Sequence, residues 1–232
     1  NAVSAANSST SVSTFGDTLF VNGQAIIVPG ISFQNATPSF GAVTDIDGNT
    51  YQTVIHGNIE IMAENLKTER FNNGDPIPEI CVCGTNTNNM CSTPGWAYFN
   101  CQSSNLSNGR FYNGYTVAGP RNTCPTGWSI ASGNDWIQLL DLFVTNYLPG
   151  GAVDLNAILA SGSNESGLSF LLGGNQSSGG SGNLQGSYES FWHANGDFYI
   201  TNNMAHFPQT TINPNGATPG GWDYRHIRCV KD

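Results

Sequence analysis

Apolar and polar residues alternate in short stretches along much of the chain, and turn-forming residues cut those stretches to strand length. The first clear unit is Asp17-Thr-Leu-Phe-Val-Asn22-Gly23-Gln-Ala-Ile-Ile-Val28, with Asn22-Gly23 between two apolar runs. Both central residues of a tight hairpin turn need positive φ, which Asn-Gly supplies, so this unit predicts a β-hairpin. Pro29-Gly30 ends it, and a linker runs on through Pro38. Two more hairpins come next, one over residues 43–51 turning at Asp47-Gly48 and one over residues 51–62 turning at Gly57-Asn58. Residues 71–101 show little periodicity and hold four cysteines, which predicts a long loop tied by bridges.

A helical period emerges later. Trp136, Leu139, Leu140, Phe143 and Tyr147 form one apolar face, and Pro149-Gly150-Gly151 stops the run. Ser132 precedes it with Asp135 three residues on, a capping-box variant that satisfies free amides at a helix start. A second, short helix is predicted over residues 155–160. Residues 173–186 are Gly, Ser and Asn with little apolar content, which predicts a flexible loop. Residues 188–230 alternate aromatic and polar positions and read as short strands and loops. The fold class is therefore α+β: antiparallel strands at both ends, one main helix, and long loops. Residues 1–42 form an arm and hairpin, and residues 43–232 the main domain.

The first fourteen residues are nearly all Ser, Thr, Asn, Ala and Val. Such a stretch cannot bury enough apolar area to offset the entropy of ordering it alone, and a disordered tail is the default. It also carries no charge and no Pro, so nothing opposes strand pairing with another chain. The second expectation is that this arm completes the sheet of an adjacent copy, with Val3, Val12 and Phe15 setting the register.

Composition narrows the classes of function. Charged residues make up 10% of the chain and the net charge is -9, with seven Lys and Arg, which opposes binding to nucleic acid or anionic lipid. No apolar run approaches the ~18 residues of a membrane span, so direct membrane insertion is not expected. The chain starts at Asn1 without Met, as it would after removal of a leader peptide. Six cysteines lie at positions 81, 83, 91, 101, 124 and 229, with no Cys-x-x-Cys unit of the usual zinc spacing. This points to disulfides and an oxidising, extracellular compartment. Four cysteines permit three pairings. The nested one, Cys81–Cys101 with Cys83–Cys91, is set first and the adjacent-bridge alternatives stay open.

Several motifs together are specific. Asp45-Ile-Asp-Gly-Asn-Thr-Tyr-Gln-Thr-Val54 followed by Met62-Ala-Glu-Asn-Leu66 resembles the opening of the Fibrobacter succinogenes major paralogous domain. Cys124-Pro-Thr-Gly-Trp128 leading into a helix, Asn164-Glu-Ser-Gly167, Gly173-Gly174 and the ending Arg228-Cys-Val-Lys-Asp232 are similar too, in family order. The resemblance implies a secreted or surface protein of the Bacteroidota type. It also implies a C-type-lectin-like domain related to the formylglycine-generating enzymes, a fold that by itself gives no function. It makes Cys229 the natural partner of Cys124, as a structural staple. Phe191-Trp192-His193-Ala194 departs from the family's usual Trp-Trp-Ser-Ser-Thr segment, and Pro208, Pro214 and Pro219 interrupt the stretch after it.

The candidate chemistry is thin. Asp45, Asp47 and Asn49 alternate like the first ligands of a calcium loop, but Gly48 stands fourth and His56 twelfth, so an Asp-Gly turn explains them without an ion. No hydrolase or phosphate-loop motif is present, and His193, His206 and His226 have no spacing that fixes a metal. No cofactor is expected beyond that weak calcium alternative, and no enzyme activity. The best ligand face is aromatic: Trp192, Tyr199, Trp222 and Tyr224 for stacking, with His193, Asp197, Asn202, Asn203 and Asp223 for hydrogen bonds. About half of such aromatics are expected in the core. Asp17-Thr18-Leu19 fits the Bacteroidota O-glycosylation pattern, with Thr18 as the acceptor. The reading is a surface subunit of a filament or assembly that displays a lectin-like face for adhesion. Its partners are other copies of itself, with surface glycans or proteins as further ligands. A monomeric adhesin or carbohydrate-binding module is the alternative, and a formylglycine-generating-type oxidase the remote one.

Overall fold

The computed structural model describes residues 12–15, 18–21, 24–26, 38–81, 93–141, 144–146, 152–153, 164, 166–177, 181–183, 185–194, 196–201, 204–206 and 223–232. Val3, Asn202, Asn203, Trp222, Cys83, Cys91 and the predicted second helix lie outside these residues.

The chain divides into two compact units, Asn1–Thr37 and Pro38–Asp232. The division precedes the boundary drawn at 42/43 because the strand Ser39–Thr44 pairs along its whole length with the next one, Thr50–His56. In the first unit, β1 (Val12–Phe15), β2 (Thr18–Val21) and β3 (Gln24–Ile26) form an antiparallel sheet in that order. Val21 pairs with Gln24 across Asn22-Gly23, the register of the hairpin read from that dipeptide. Thr18 opens β2. Val12 pairs with Val21 and Phe15 with Thr18, so these two register residues of the arm are engaged within their own chain. They stand on β1, an edge strand of that three-stranded sheet.

The second unit is mixed, mostly strand with few helices. One sheet has five strands in the order β4 (Ser39–Thr44), β5 (Thr50–His56), β6 (Ile59–Met62), β18 (Cys229–Lys231) and β9 (Trp128–Ile130). The last strand of the chain thus sits in the middle of the sheet that the first strands begin. A second, eight-stranded sheet runs β16 (Met204–His206), β15 (Gly196–Thr201), β14 (Tyr188–His193), β12 (Gly173–Ser177), β17 (Asp223–Arg225), β8 (Phe111–Asn113) and β7 (Trp96–Ala97), with β13 (Gly182–Asn183) paired to β12. The strands β10 (Val144–Asn146) and β11 (Ala152–Val153) pair separately. The short helix α1 (Gly114–Ala118) follows β8, and its Asn113 side chain accepts from the Thr116 amide. No described helix is long and apolar enough to cross a membrane.

The main helix α2 (Gly133–Asp141) is capped as its sequence predicts. The Ser132 amide donates to Asp135 Oδ2 at 2.7 Å, and the Asp135 amide donates to Ser132 Oγ at 3.2 Å. Trp136 and Leu139 are fully buried against Phe170 and Phe191. The helix is shorter than its apolar spacing suggests. Residues 144–146 form β10 instead, because Val144 and Asn146 pair with Val153 and Ala152. Tertiary pairing here overrides a helical period.

Residues 173–186 also differ from expectation. Gly173–Ser177 is a strand held on both sides, parallel to β14 and antiparallel to β17. The glycines that suggested a loop serve close packing: a Cβ on Gly173 would lie 2.9 Å from His226 Nε2, and Gly174 has φ +85°.

Among the described residues, two disulfides brace the unit. Cys124 and Cys229 are bonded with Cα atoms 5.8 Å apart, joining the entry to β9 with the last strand across 105 residues of sequence. Closing a loop of that size stabilises by about 4–5 kcal/mol in the chain-entropy account. Cys81 and Cys101 are bonded with Cα atoms 5.5 Å apart.

Candidate functional site

The residues that carry the sequence motifs meet in the interior. Asn65, which follows β6, is 2% exposed, and Glu189 on β14 and Arg228 before β18 are fully buried. Asn65 Nδ2 donates to Glu189 Oε1 at 2.8 Å and to the Asn108 carbonyl at 2.9 Å, while its Oδ1 accepts from Arg228 Nε at 2.9 Å. Asn65 is therefore the coupler between an acid and a base that come from 124 and 163 residues further along.

The second Glu189 oxygen accepts the amides of Leu171 and Leu172 at 3.0 and 3.1 Å. The Arg228 guanidinium donates to the carbonyls of Leu168 and Ser169 and lies 4.4 Å from the Phe170 ring centroid. Segment 168–172 bends around this pair, with Ser169 and Leu172 at positive φ. It presents carbonyls to the cation and amides to the anion. Gly167 begins the bend at φ +70°, and a Cβ there would lie 2.6 Å from the Phe40 ring, so Asn164-Glu-Ser-Gly167 ends in Gly for two reasons.

Burial sets the electrostatics. Desolvation pushes the Glu189 carboxyl above its usual range, against the pull of Arg228, Asn65 and the two amides. Desolvation likewise lowers Arg228 to about 10, with Glu189 opposing, so it stays a cation at neutral pH. His226 is fully buried with its ring centroid 3.9 Å from that of Phe111. Burial, reinforced by the Arg228 charge, lowers its pKa to about 3. Its Nδ1 lies 3.3 Å from the Arg110 carbonyl, and its Nε2 has no hydrogen-bond partner among the described residues. These buried groups join strands that lie far apart in sequence.

The calcium candidates form a closed turn. Asp45 Oδ1 accepts the amides of Asp47 and Asn49 at 3.0 and 2.9 Å, and Oδ2 accepts Asn49 Nδ2 at 2.9 Å and the Tyr51 hydroxyl at 2.5 Å. Asp47 Oδ2 accepts the Thr68 hydroxyl and the Glu69 amide at 2.7 and 2.6 Å. Gly48 sits at φ +86°. Asn49 is a donor here, three of the four carboxylate oxygens accept from protein donors, and the fourth, Asp47 Oδ1, faces Arg70 Nε at 3.6 Å, so these residues do not fit a calcium ion. No group of three or more His, Cys, Asp or Glu among the described residues is placed to hold a metal.

The aromatic ligand face is only partly a face. Trp192 is 1% exposed and donates from Nε1 to the Tyr112 carbonyl at 2.6 Å. Tyr224 is fully buried and its hydroxyl donates to the Ile80 carbonyl at 2.7 Å. Both are core residues with their polar ends satisfied, which corrects their assignment to sugar stacking. His193 is half-buried beside Gly133, Asp197 and Tyr199 stand on β15 in register with Trp192 and Ser190, and Asp223 opens β17. The sequence reading did not single out Glu189. Its signal was an isolated charge inside an aromatic strand, Tyr188-Glu-Ser-Phe-Trp192, in a chain that is 10% charged.

In comparison with protein families, the model of the Fibrobacter succinogenes major domain matches residues 54–231. The chain belongs to this family. Asn65, Glu189 and Arg228 all fall within the family domain, as do the Cys124–Cys229 bridge and the Gly173-Gly174 strand. No curated protein and no solved structure matches the chain.

Proposed function

We propose that the protein is a non-catalytic extracellular surface protein, a subunit of a cell-surface assembly that presents its family domain for adhesion. The observation that carries this reading is where the family-motif side chains go: Asn65 and Arg228 are buried and bonded to each other, and Asn65 holds the buried Glu189 on its other side. Residues used in this way build a scaffold, and specificity is left to the loops around it. The bonded Cys124–Cys229 and Cys81–Cys101 pairs support an oxidising compartment outside the cell. The lectin-like architecture, the adhesive role and the absence of catalysis are parts of the same reading.

Assembly is attributed to the N-terminal segment. The full chain is expected to form higher-order species in analytical ultracentrifugation and negative-stain microscopy. A variant lacking residues 1–11, which leaves β1 in place, is expected to remain a folded monomer with its disulfides intact. Unchanged assembly by the shortened chain would remove the arm from the account.

The monomeric adhesin is the second reading, and one observation favours it. Val12 and Phe15 pair with β2 of the same chain, so part of the arm is already engaged. A full-length chain that sediments as a monomer, and binds glycans on an array in that state, would establish it.

A further inference from the structure

The five-stranded sheet begins at β4, and no strand among the described residues pairs with its outer side. In an antiparallel ladder, hydrogen-bonded pairs alternate with non-bonded ones. The Asp45 amide donates to the Asn49 carbonyl, which makes the Thr44–Thr50 pair a non-bonded one. Counting back along the register, Ala42–Gln52 and Phe40–Val54 are non-bonded as well. The main-chain N–H and C=O groups of Phe40, Ala42 and Thr44 therefore point away from β5. All three residues are exposed, Phe40 to 54%. Protected edges carry Lys, Pro or a bulge, whereas Ser39-Phe-Gly-Ala-Val-Thr44 has no charge and no Pro and pairs with β5 in unbroken register. The opposite edge of the same sheet, β9, is three residues long, and β4 is six.

We propose that residues 2–6 of one copy, Ala2-Val-Ser-Ala-Ala6, add as a strand to the outer edge of β4 in a second copy; this rests on the assembly reading above and names its receptor. The segment and the edge match in kind. Both lack charge, so their contact sets no like charges together in a chain of net charge -9. The side chains of Ala2, Ser4, Ala5 and Ala6 are small enough for close backbone approach, and Val3 alone is large enough to set the register beside Phe40. Five extended residues span about 17 Å, close to the length of β4. Residues 7–11, Asn-Ser-Ser-Thr-Ser, add up to about 18 Å of tether before β1. Main-chain hydrogen bonds supply the affinity in strand addition of this kind.

The test uses the full chain, the chain lacking residues 1–11, and a synthetic peptide of residues 1–11. The labelled peptide is expected to bind the shortened chain, and Ala42→Pro in that chain is expected to weaken binding about tenfold or more, because it deletes an outward donor and leaves the β5 ladder intact. Phe40→Lys is the second variant, read if Ala42→Pro lowers the melting temperature. In the full chain, either substitution should reduce assembly as deletion of the arm does. If deletion abolishes assembly while folded Ala42→Pro and Phe40→Lys chains assemble normally, the assembly reading stands and β4 is overturned as receptor. If deletion changes nothing, the assembly reading itself fails. A monomeric full chain that cannot bind the peptide, while the shortened chain binds it at β4, would show the arm covering its own edge and overturn the intermolecular pairing.

Discussion

Two carboxylate networks in the second unit do similar work over very different distances along the chain. At the β4–β5 turn, Asp45 gathers donors from Asp47, Asn49 and Tyr51, all within six residues. In the interior, Glu189 gathers Asn65, Leu171 and Leu172, and reaches Arg228 through Asn65. The first network shapes one hairpin and forms as soon as that hairpin does. The second exists only once β6, the 168–172 bend, β14 and the approach to β18 are all in place. A local network stabilises an element, whereas a non-local one makes the elements conditional on each other.

Breaking the interior network should have the largest effect. Arg228→Met keeps much of the stem over Phe170 but leaves Glu189 buried beside an acceptor on Asn65 without its donor. Removing one member of a buried pair typically costs about 3–5 kcal/mol. Urea denaturation of the variant should show a loss in that range, and a half-buried pair near the surface such as Lys67–Glu64 should show less when broken by Lys67→Met. Equal losses at the two sites would erase the distinction between them.

Acid should strike the interior next. His226 is held neutral when folded, with a pKa of about 3, whereas unfolded His takes a proton near 6.5. Between those values the unfolded chain binds more protons, so stability is present above pH 6.5 and is lost as pH falls towards 3. One uncompensated proton gives a slope of up to about 1.4 kcal/mol per pH unit. Glu189 works against this slope: its raised pKa means the folded state gains a proton before the unfolded state does as pH falls. Denaturation curves from pH 4 to 7 should show the net fall, and His226→Asn should flatten it whatever its cost at pH 7. A slope that persists in His226→Asn would place the acid sensitivity elsewhere.

The same contrast explains what the sequence made legible. The hairpin at Asn22-Gly23, the turn at Asp47-Gly48, the turn at Gly57-Asn58 and the cap at Ser132 were readable because their chemistry lies within a few residues. The family motifs marked Asn65, Gly167, Gly173 and Arg228 as belonging together but not as touching. Glu189 shows in the sequence only as a lone charge in an aromatic strand, and its role was not legible because its partners come from elsewhere in the fold. Trp192 and Tyr224 looked like ligand-facing aromatics for the same reason, since the carbonyls of Tyr112 and Ile80 that satisfy them lie far away in sequence. Residues 173–177 read as a loop because a strand made mainly of Gly, Asn and Gln is defined by its neighbours on both sides and not by its own propensity.

At the β4–β5 turn the effect should be moderate. Asp45→Ala removes the acceptor of four donors, including the Tyr51 hydroxyl, which also donates nothing else in its buried position. Leaving such donors unmatched costs about 1–3 kcal/mol, less than at Arg228 because the turn amides can reach water. Calcium should shift the melting temperature of neither the native chain nor Asp45→Asn. A calcium-dependent rise in the native chain that Asp45→Asn abolishes would restore the ion to this turn.

The smallest effect belongs to the most local network of all, the cap of α2. Ser132 Oγ accepts the Asp135 amide and Asp135 Oδ2 accepts the Ser132 amide, three residues apart, with no third element involved. Helix packing does not depend on the pair, because Trp136 and Leu139 are fixed by Phe170 and Phe191. Ser132→Ala should therefore cost about 1 kcal/mol, the usual value for losing a cap, and lower the melting temperature by about 2–4 °C. Ser132→Asp should keep most of the stability by restoring an acceptor, less whatever its charge beside Asp135 costs. The diagnostic is additivity: Ser132→Ala combined with Asp45→Ala should lose the sum of the two, since the sites share no partner, whereas Arg228→Met combined with Asn65→Ala should lose much less than its sum. Additive loss at Arg228 and Asn65 would mean that the interior contacts are independent bonds and not one network.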